Sequence, residues 1–153
     1  MNLLFRQQYH WVVSSREVLL EYCESIKAED LLKQHPSFAN ASMQYLLLHM
    51  ANCYFFWLGE VALKKKMEYL DYQKVHSLAA IRTQFETVNH LVNKFLNTDW
   101  PEAIPYEIRG ALGTTTPLKL FTHVITHEYH HKGQLLSMSR FMGYTPVDTD
   151  VLR

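Results

Sequence analysis

Apolar positions recur at helical spacing through four long segments of the chain. In the first, from about Leu3 to Ile26, the apolar set is Leu4, Tyr9, Trp11, Val12, Leu19, Leu20 and Cys23. Steps of three and four residues put such side chains on one face of a helix, and that face needs a partner to bury it. The second segment runs from about Ala41 to Lys66, after a loop at Pro36, with Tyr45, Leu48, His49, Asn52, Cys53 and Phe56 on a shared face. Asn40 or Ser42 offers a side-chain oxygen to the free amides of its first turn. The third starts at Ser77, another cap, and reaches about Leu96, with a stripe of Leu78, Ile81, Phe85, Val88, Leu91, Val92 and Phe95. The fourth has Thr116 as cap, Pro117 at the first helical position, where a missing N–H costs little, and Gly143 as its stop. Between the third and fourth, residues 97–116 read as a loop, because Pro101 and Pro105 interrupt any long helix. That loop has room for one irregular turn over the mouth of a bundle, and no Asn-Gly dipeptide marks a hairpin. Helices of about 20 residues or more, four of them in 153 residues, predict an all-α four-helix bundle in a single domain spanning 1–153.

Composition narrows the function classes. Formal net charge is zero, and the one basic run is Lys64-Lys65-Lys66, which suits a solvated helix C-terminus. A nonspecific nucleic-acid binder needs a basic surface to displace counterions, so no nucleic-acid partner is expected. No stretch approaches the roughly 20 apolar residues that span a bilayer, so no membrane partner is expected either. Cys23 and Cys53 fall inside apolar helical patterns, and the start, MNLLFRQQYHW, lacks a long apolar signal core. Together these predict reduced thiols and a cytoplasmic protein.

Histidine carries the candidate chemistry. His123, His127 and His131 are spaced four apart in FTHVITHEYHHKGQL, so they stack on one helix face. Neutral imidazole is a common transition-metal ligand. With a rise of about 1.5 Å per residue, the outer two are about 12 Å apart along the axis, whereas a zinc–nitrogen bond is about 2.0–2.1 Å. One ion therefore takes one adjacent pair, 123/127 or 127/131, and His127 belongs to both. His130 points to one side of that stripe and reads as a surface or supporting residue.

HEYHH also satisfies the zincin pattern H-E-x-x-H, with Glu128 as general base. After His131 no Glu or His remains, only Asp148 and Asp150 beyond the helix, so the usual third zincin ligand is missing. A third ligand must then come from another helix, as in metal sites built inside bundles. The candidates are His10, His35, His49, His76 and His90. His49 stands out because it sits in an apolar run, YLLLHMANCYFFWL. Cys53, one turn on, is a further ligand, a substrate-facing thiol or a small buried apolar residue. Tyr45, Asn52 and Gln134 lie within a turn of these positions and are candidates to orient the imidazoles.

HVITHEYHHKGQL resembles the last-helix motif of the DinB/YfiT-like metal-dependent enzymes, H-x-x-x-H-R-G-Q after apolar residues. The motif's histidines fall on His127 and His131, Gly133 and Gln134 match, and Lys132 stands where arginine is usual. LLLHMANCYFFWL resembles the family's second-helix segment, and its histidine falls on His49. The close, FMGYTPVDTD, is also similar. The resemblance implies an up-down-down-up four-helix bundle, often a homodimer. It implies a divalent metal, zinc or nickel, on His49, His127 and His131, with positions open to water or substrate. It further implies hydrolysis of a small molecule or S-transfer from a low-molecular-weight thiol cosubstrate, and gives Glu128 no catalytic part.

Three neutral imidazoles leave a zinc-like ion positively charged, able to lower the pKa of water to roughly 7 or to take a thiol as thiolate. The reading is a metal-dependent hydrolase or thiol S-transferase acting on a small molecule. No catalytic base is identifiable. The rival reading is a non-catalytic metal-stabilised bundle for ligand sensing or protein interaction, with Phe5, Tyr9 and Trp11 on the first helix as a contact surface, although a core or a dimer seam explains these aromatics as well. Access discriminates the two, since structural sites are closed by four protein ligands.

Overall fold

The structure, a computed structural model, describes residues 3–75 and 77–153. Helix α1 spans Leu3–Glu24, and a short α2, Ala28–Leu32, leads into a 3-10 turn at Pro36–Phe38. Helix α3, Met43–Tyr54, continues as a π-helix, Phe55–Ala62. Helix α4 is Leu78–Leu96, strands β1 and β2 are Ile104–Ile108 and Ala111–Thr115, and α5 is Pro117–Phe141. The chain is thus mostly helical, with one small antiparallel sheet.

The helix ends are set locally. The hydroxyls of Ser42, Ser77 and Thr116 accept the N–H of Tyr45 at 3.1 Å, Ala80 at 3.2 Å and Lys119 at 3.1 Å. Each satisfies one of the amides that a helix start leaves free. Of the two caps considered for α3, Ser42 serves. Gly143, at φ 90°, follows α5 in the conformation that glycine adopts without strain. The second helix stops at Ala62, short of Lys66, and Lys64–Lys66 lie exposed just beyond it.

The expected loop between α4 and α5 is corrected by the hairpin. Register runs from Ile104 opposite Thr115 to Ile108 opposite Ala111. Its turn is Arg109-Gly110, with φ of 52° and 80°; positive φ at both positions is what a two-residue hairpin turn requires. Pro105 sits in this two-stranded edge, where a missing N–H is tolerated. Buried Ile104 anchors the hairpin, Lys64 Nζ donates to the Pro105 carbonyl at 3.1 Å, and the Tyr106 ring packs edge-on against Trp57 at 6.0 Å.

Helix α3 packs against α4 and α5, and α1 against the same two. Most of the predicted stripes of α1 and α4 are buried: Tyr9, Val12, Leu19, Leu20 and Cys23 on one, Ile81, Phe85, Val88, Leu91, Val92 and Phe95 on the other, whereas Leu4 and Trp11 of the α1 stripe are exposed. Of the three α1 aromatics, the core alternative holds for Tyr9 and Phe5. Tyr9 is buried and donates to Asn89 Oδ1 at 2.7 Å, Phe5 packs on Phe121 at 5.2 Å, and Trp11 is 49% exposed. Both cysteines are free and buried. Among the described residues no helix is long and apolar enough to cross a membrane.

Candidate metal centre

The close packing of α3 on α5 brings His49 to His127 and His131. One donor nitrogen from each lies within 4.8 Å of the other two. Ring centroids are 4.9 Å apart for His49 and His127, 4.7 Å for His49 and His131, and 4.4 Å for the α5 pair. Of the two adjacent pairs that the sequence allows, 127/131 is the one joined by His49. His123 is exposed and packs edge-on against Trp57 at 5.1 Å. His130 is exposed, as expected for its place beside the stripe. Among the other candidates, His10 and His90 are exposed. His35 instead caps the 3-10 turn, its Nδ1 accepting the Ser37 N–H at 3.2 Å. His76 lies outside the described residues.

The three rings are prepared as neutral donors. Burial lowers the pKa of His49, and it lowers that of His131 against a smaller upward pull from Gln134. Burial, with the nearby imidazoles of His131 and His49, takes His127 to about 3. Each ring therefore keeps a lone pair at neutral pH. Gln134 Oε1 lies 2.7 Å from His131 Nδ1. A carbonyl oxygen only accepts, so the proton sits on Nδ1 and the Nε2 lone pair faces His127. The two Nε2 atoms are 3.2 Å apart. Unprotonated nitrogens this close repel unless a proton or cation lies between them. Nitrogens bonded at about 2.0–2.1 Å to one tetrahedral ion stand about 3.3–3.4 Å from each other. The donor set and its spacing thus fit a nitrogen-preferring divalent cation. Nδ1 of His127 is buried without a partner, so it adds no competing hydrogen bond to steer that ring away.

The supporting residues divide. Gln134 orients His131, and Tyr45 stacks parallel on His49 with centroids 5.8 Å apart. Asn52 turns instead to Tyr72, donating to its hydroxyl at 2.8 Å. Cys53 is buried, and its sulfur is not among the converging donors. Burial and then the Glu128 charge push its thiol up to about 12, so it stays protonated.

Glu128 follows His127 in sequence but faces the interior of the fold. It is fully buried, receiving Arg16 Nε at 3.0 Å, Arg16 Nη2 at 2.7 Å, the Tyr54 hydroxyl at 2.7 Å, and Lys132 Nζ at 3.0 Å. Burial alone would raise its pKa, but the charges of Arg16 and Lys132 outweigh it and hold the carboxyl below the ordinary carboxylate range. Arg16 is correspondingly raised despite its burial. For Lys132, burial outweighs the attraction of Glu128, and its pKa falls. Its contacts are those of an ammonium: Glu128, Ser15 Oγ at 2.9 Å and the Val12 carbonyl at 3.3 Å account for all three N–H groups. A carboxylate so enclosed is no general base for H-E-x-x-H chemistry. Sequence reasoning missed Arg16 and Tyr54 as its partners. The signal available was a lone arginine on the Val12–Leu20 stripe, with Glu128 and Lys132 one turn apart on α5.

Two cavities meet at His49. One, about 430 Å³, is lined by His49, His127, Asn52, Cys53 and a wall that includes Phe56, Trp57 and Leu70. The other, about 590 Å³, touches His49, His131 and Gln134 and is lined by polar groups including Gln34, Ser37 and Asn40. Three converging donors with cavities on them differ from a closed four-ligand structural site.

The chain is similar to the Uncharacterized protein YizA of Bacillus subtilis (strain 168), with 22% identity over 156 aligned residues that cover 95% of this chain and 91% of that protein. The DinB family model matches residues 1–153, which includes all three converging histidines. By that full-length match, the chain belongs to the DinB family.

Proposed function

We propose that the protein is a divalent-metal-dependent enzyme that holds one cation, zinc or nickel, on His49, His127 and His131. It acts on a small molecule by hydrolysis or by S-transfer from a low-molecular-weight thiol. The observation that carries this reading is the convergence of three neutral imidazoles from two helices on a point that two cavities reach. When bound, such a cation supplies Lewis acidity that lowers the pKa of a water or a thiol. The chain's own residues do the rest. Gln134 fixes the His131 tautomer, and the Arg16–Glu128–Lys132 cluster ties α5 to α1. We take residues 1–153 as one domain, with the long helices in an up-down-down-up four-helix bundle, working as a cytoplasmic homodimer without nucleic-acid or membrane partners. Zero net charge supports the absence of nucleic acid.

A non-catalytic metal-stabilised bundle, for ligand sensing or protein interaction, is the second reading. It is favoured by one observation: the carboxylate nearest the histidines in sequence, Glu128, is locked in an ion cluster. The test is turnover by the zinc- and nickel-loaded protein of a panel of small esters, amides and thiol–electrophile pairs, against chelator-treated protein. Chelator-sensitive turnover in any arm is expected. A retained metal with no turnover in any arm favours the second reading.

A further inference from the structure

We propose that the cavity beside His49 and His127 is the chamber for the body of the substrate, and that this body is an uncharged aromatic group. The inference rests on the metal-centre reading and deepens it.

Beyond His49, His127 and Asn52, the chamber's walls are mostly apolar and aromatic. Phe56 and Trp57 come from the π-helix that extends α3, and Leu70 and Tyr72 come from the segment that follows it. A π-helix widens the backbone turn, is rare, and is concentrated at functional sites. Here it carries two of the aromatic walls. The Tyr72 part of the wall is held in place before any ligand arrives. The Tyr72 hydroxyl accepts from Asn52 at 2.8 Å, and its ring packs on Tyr45 with centroids 4.5 Å apart. Tyr45 in turn stacks on His49. Trp57 is braced by Tyr106 of the hairpin and by His123.

Charge and size select the occupant. No Asp, Glu, Lys or Arg lines this cavity among the described residues. Once the polar head of the ligand occupies the cation, a charged body would lose hydration there without gaining a partner, whereas an aromatic ring meets ring faces and edges. About 430 Å³ falls within the range of small-molecule pockets. The neighbouring cavity on His131 offers amides and hydroxyls from Gln34, Ser37, Asn40 and Gln134, so the polar portion of a ligand has a separate place to lie.

The test is a calorimetric titration of zinc-loaded protein with three hydroxamates that share one metal-binding head: acetohydroxamate, benzohydroxamate and 4-carboxybenzohydroxamate. Benzohydroxamate is expected to bind at least tenfold tighter than acetohydroxamate, and the para-carboxylate is expected to erase that gain. Leu70→Asp, which sets a charge in the wall, is expected to shrink the phenyl-to-methyl ratio to about threefold or less. Equal, zinc-dependent affinities for acetohydroxamate and benzohydroxamate overturn the chamber and leave the metal centre standing. So does undiminished binding of the carboxylate probe. Binding of all three that is indifferent to zinc overturns the metal centre, and the chamber's role with it.

Discussion

Arg16 of α1 holds the Glu128 carboxylate of α5 through two nitrogens, Nε at 3.0 Å and Nη2 at 2.7 Å, with neither side chain exposed to solvent. Breaking such a pair strands a charge where water cannot reach it. Glu128→Gln leaves Arg16 and Lys132 without their anion, and is expected to cost about 3–5 kcal/mol of folding stability, read from urea unfolding. Arg16→Met should cost a similar amount. A Glu128→Gln protein of unchanged stability that has lost only turnover would show that the carboxylate acts in chemistry instead.

Acid should destabilise the cation-free protein. Burial lowers the folded pKa of His49, His127 and His131, so the folded state binds fewer protons than the unfolded chain. Stability is then lost as pH falls below the ordinary histidine value of 6.5, down to about 3 for His127. Glu128 adds a later loss: its folded pKa is depressed, so its contribution is full above the unfolded carboxylate value and disappears as pH falls through the folded one. Urea midpoints of chelator-treated protein should drop between pH 7.5 and 5, and His127→Ala should flatten that slope. A midpoint constant over that range contradicts the burial of neutral imidazoles.

Gln134 should act on metal affinity without touching the metal. Its carbonyl oxygen accepts from His131 Nδ1 at 2.7 Å and so fixes which nitrogen faces His127. Loss of such a partner weakens metal binding by about 10–100-fold. Competition with a chromophoric chelator should show that loss in Gln134→Leu, and unchanged affinity would remove Gln134 from the site.

Much of the fold was legible because its signals are local. Ser77, Thr116 and Gly143 are set by backbone needs within a few residues, and they fall where the structure has them. The hairpin was not legible. Its turn is Arg109-Gly110 instead of an asparagine–glycine pair, and the two prolines pointed to a loop. The π-helix leaves no apolar period of its own in eight residues, so it reads as more α-helix. At the site, helical spacing reduced the α5 histidines to two pairs, but spacing on one helix cannot say which pair a second helix meets. The buried ion cluster was hidden for the same reason. Arg16 and Glu128 are 112 residues apart, and only tertiary packing makes a lone arginine in an apolar stripe a partner for a glutamate among histidines.

In the proposed centre, imidazoles from α3 and α5 share one cation. Elemental analysis of the purified protein, beside His49→Ala, His127→Ala and His131→Ala variants with intact circular dichroism, tests it most directly. About one zinc or nickel per chain is expected, with near-complete loss in each variant, because removing one of three ligands leaves the ion weakly held. Metal content unchanged by both His49→Ala and His127→Ala would contradict the shared cation.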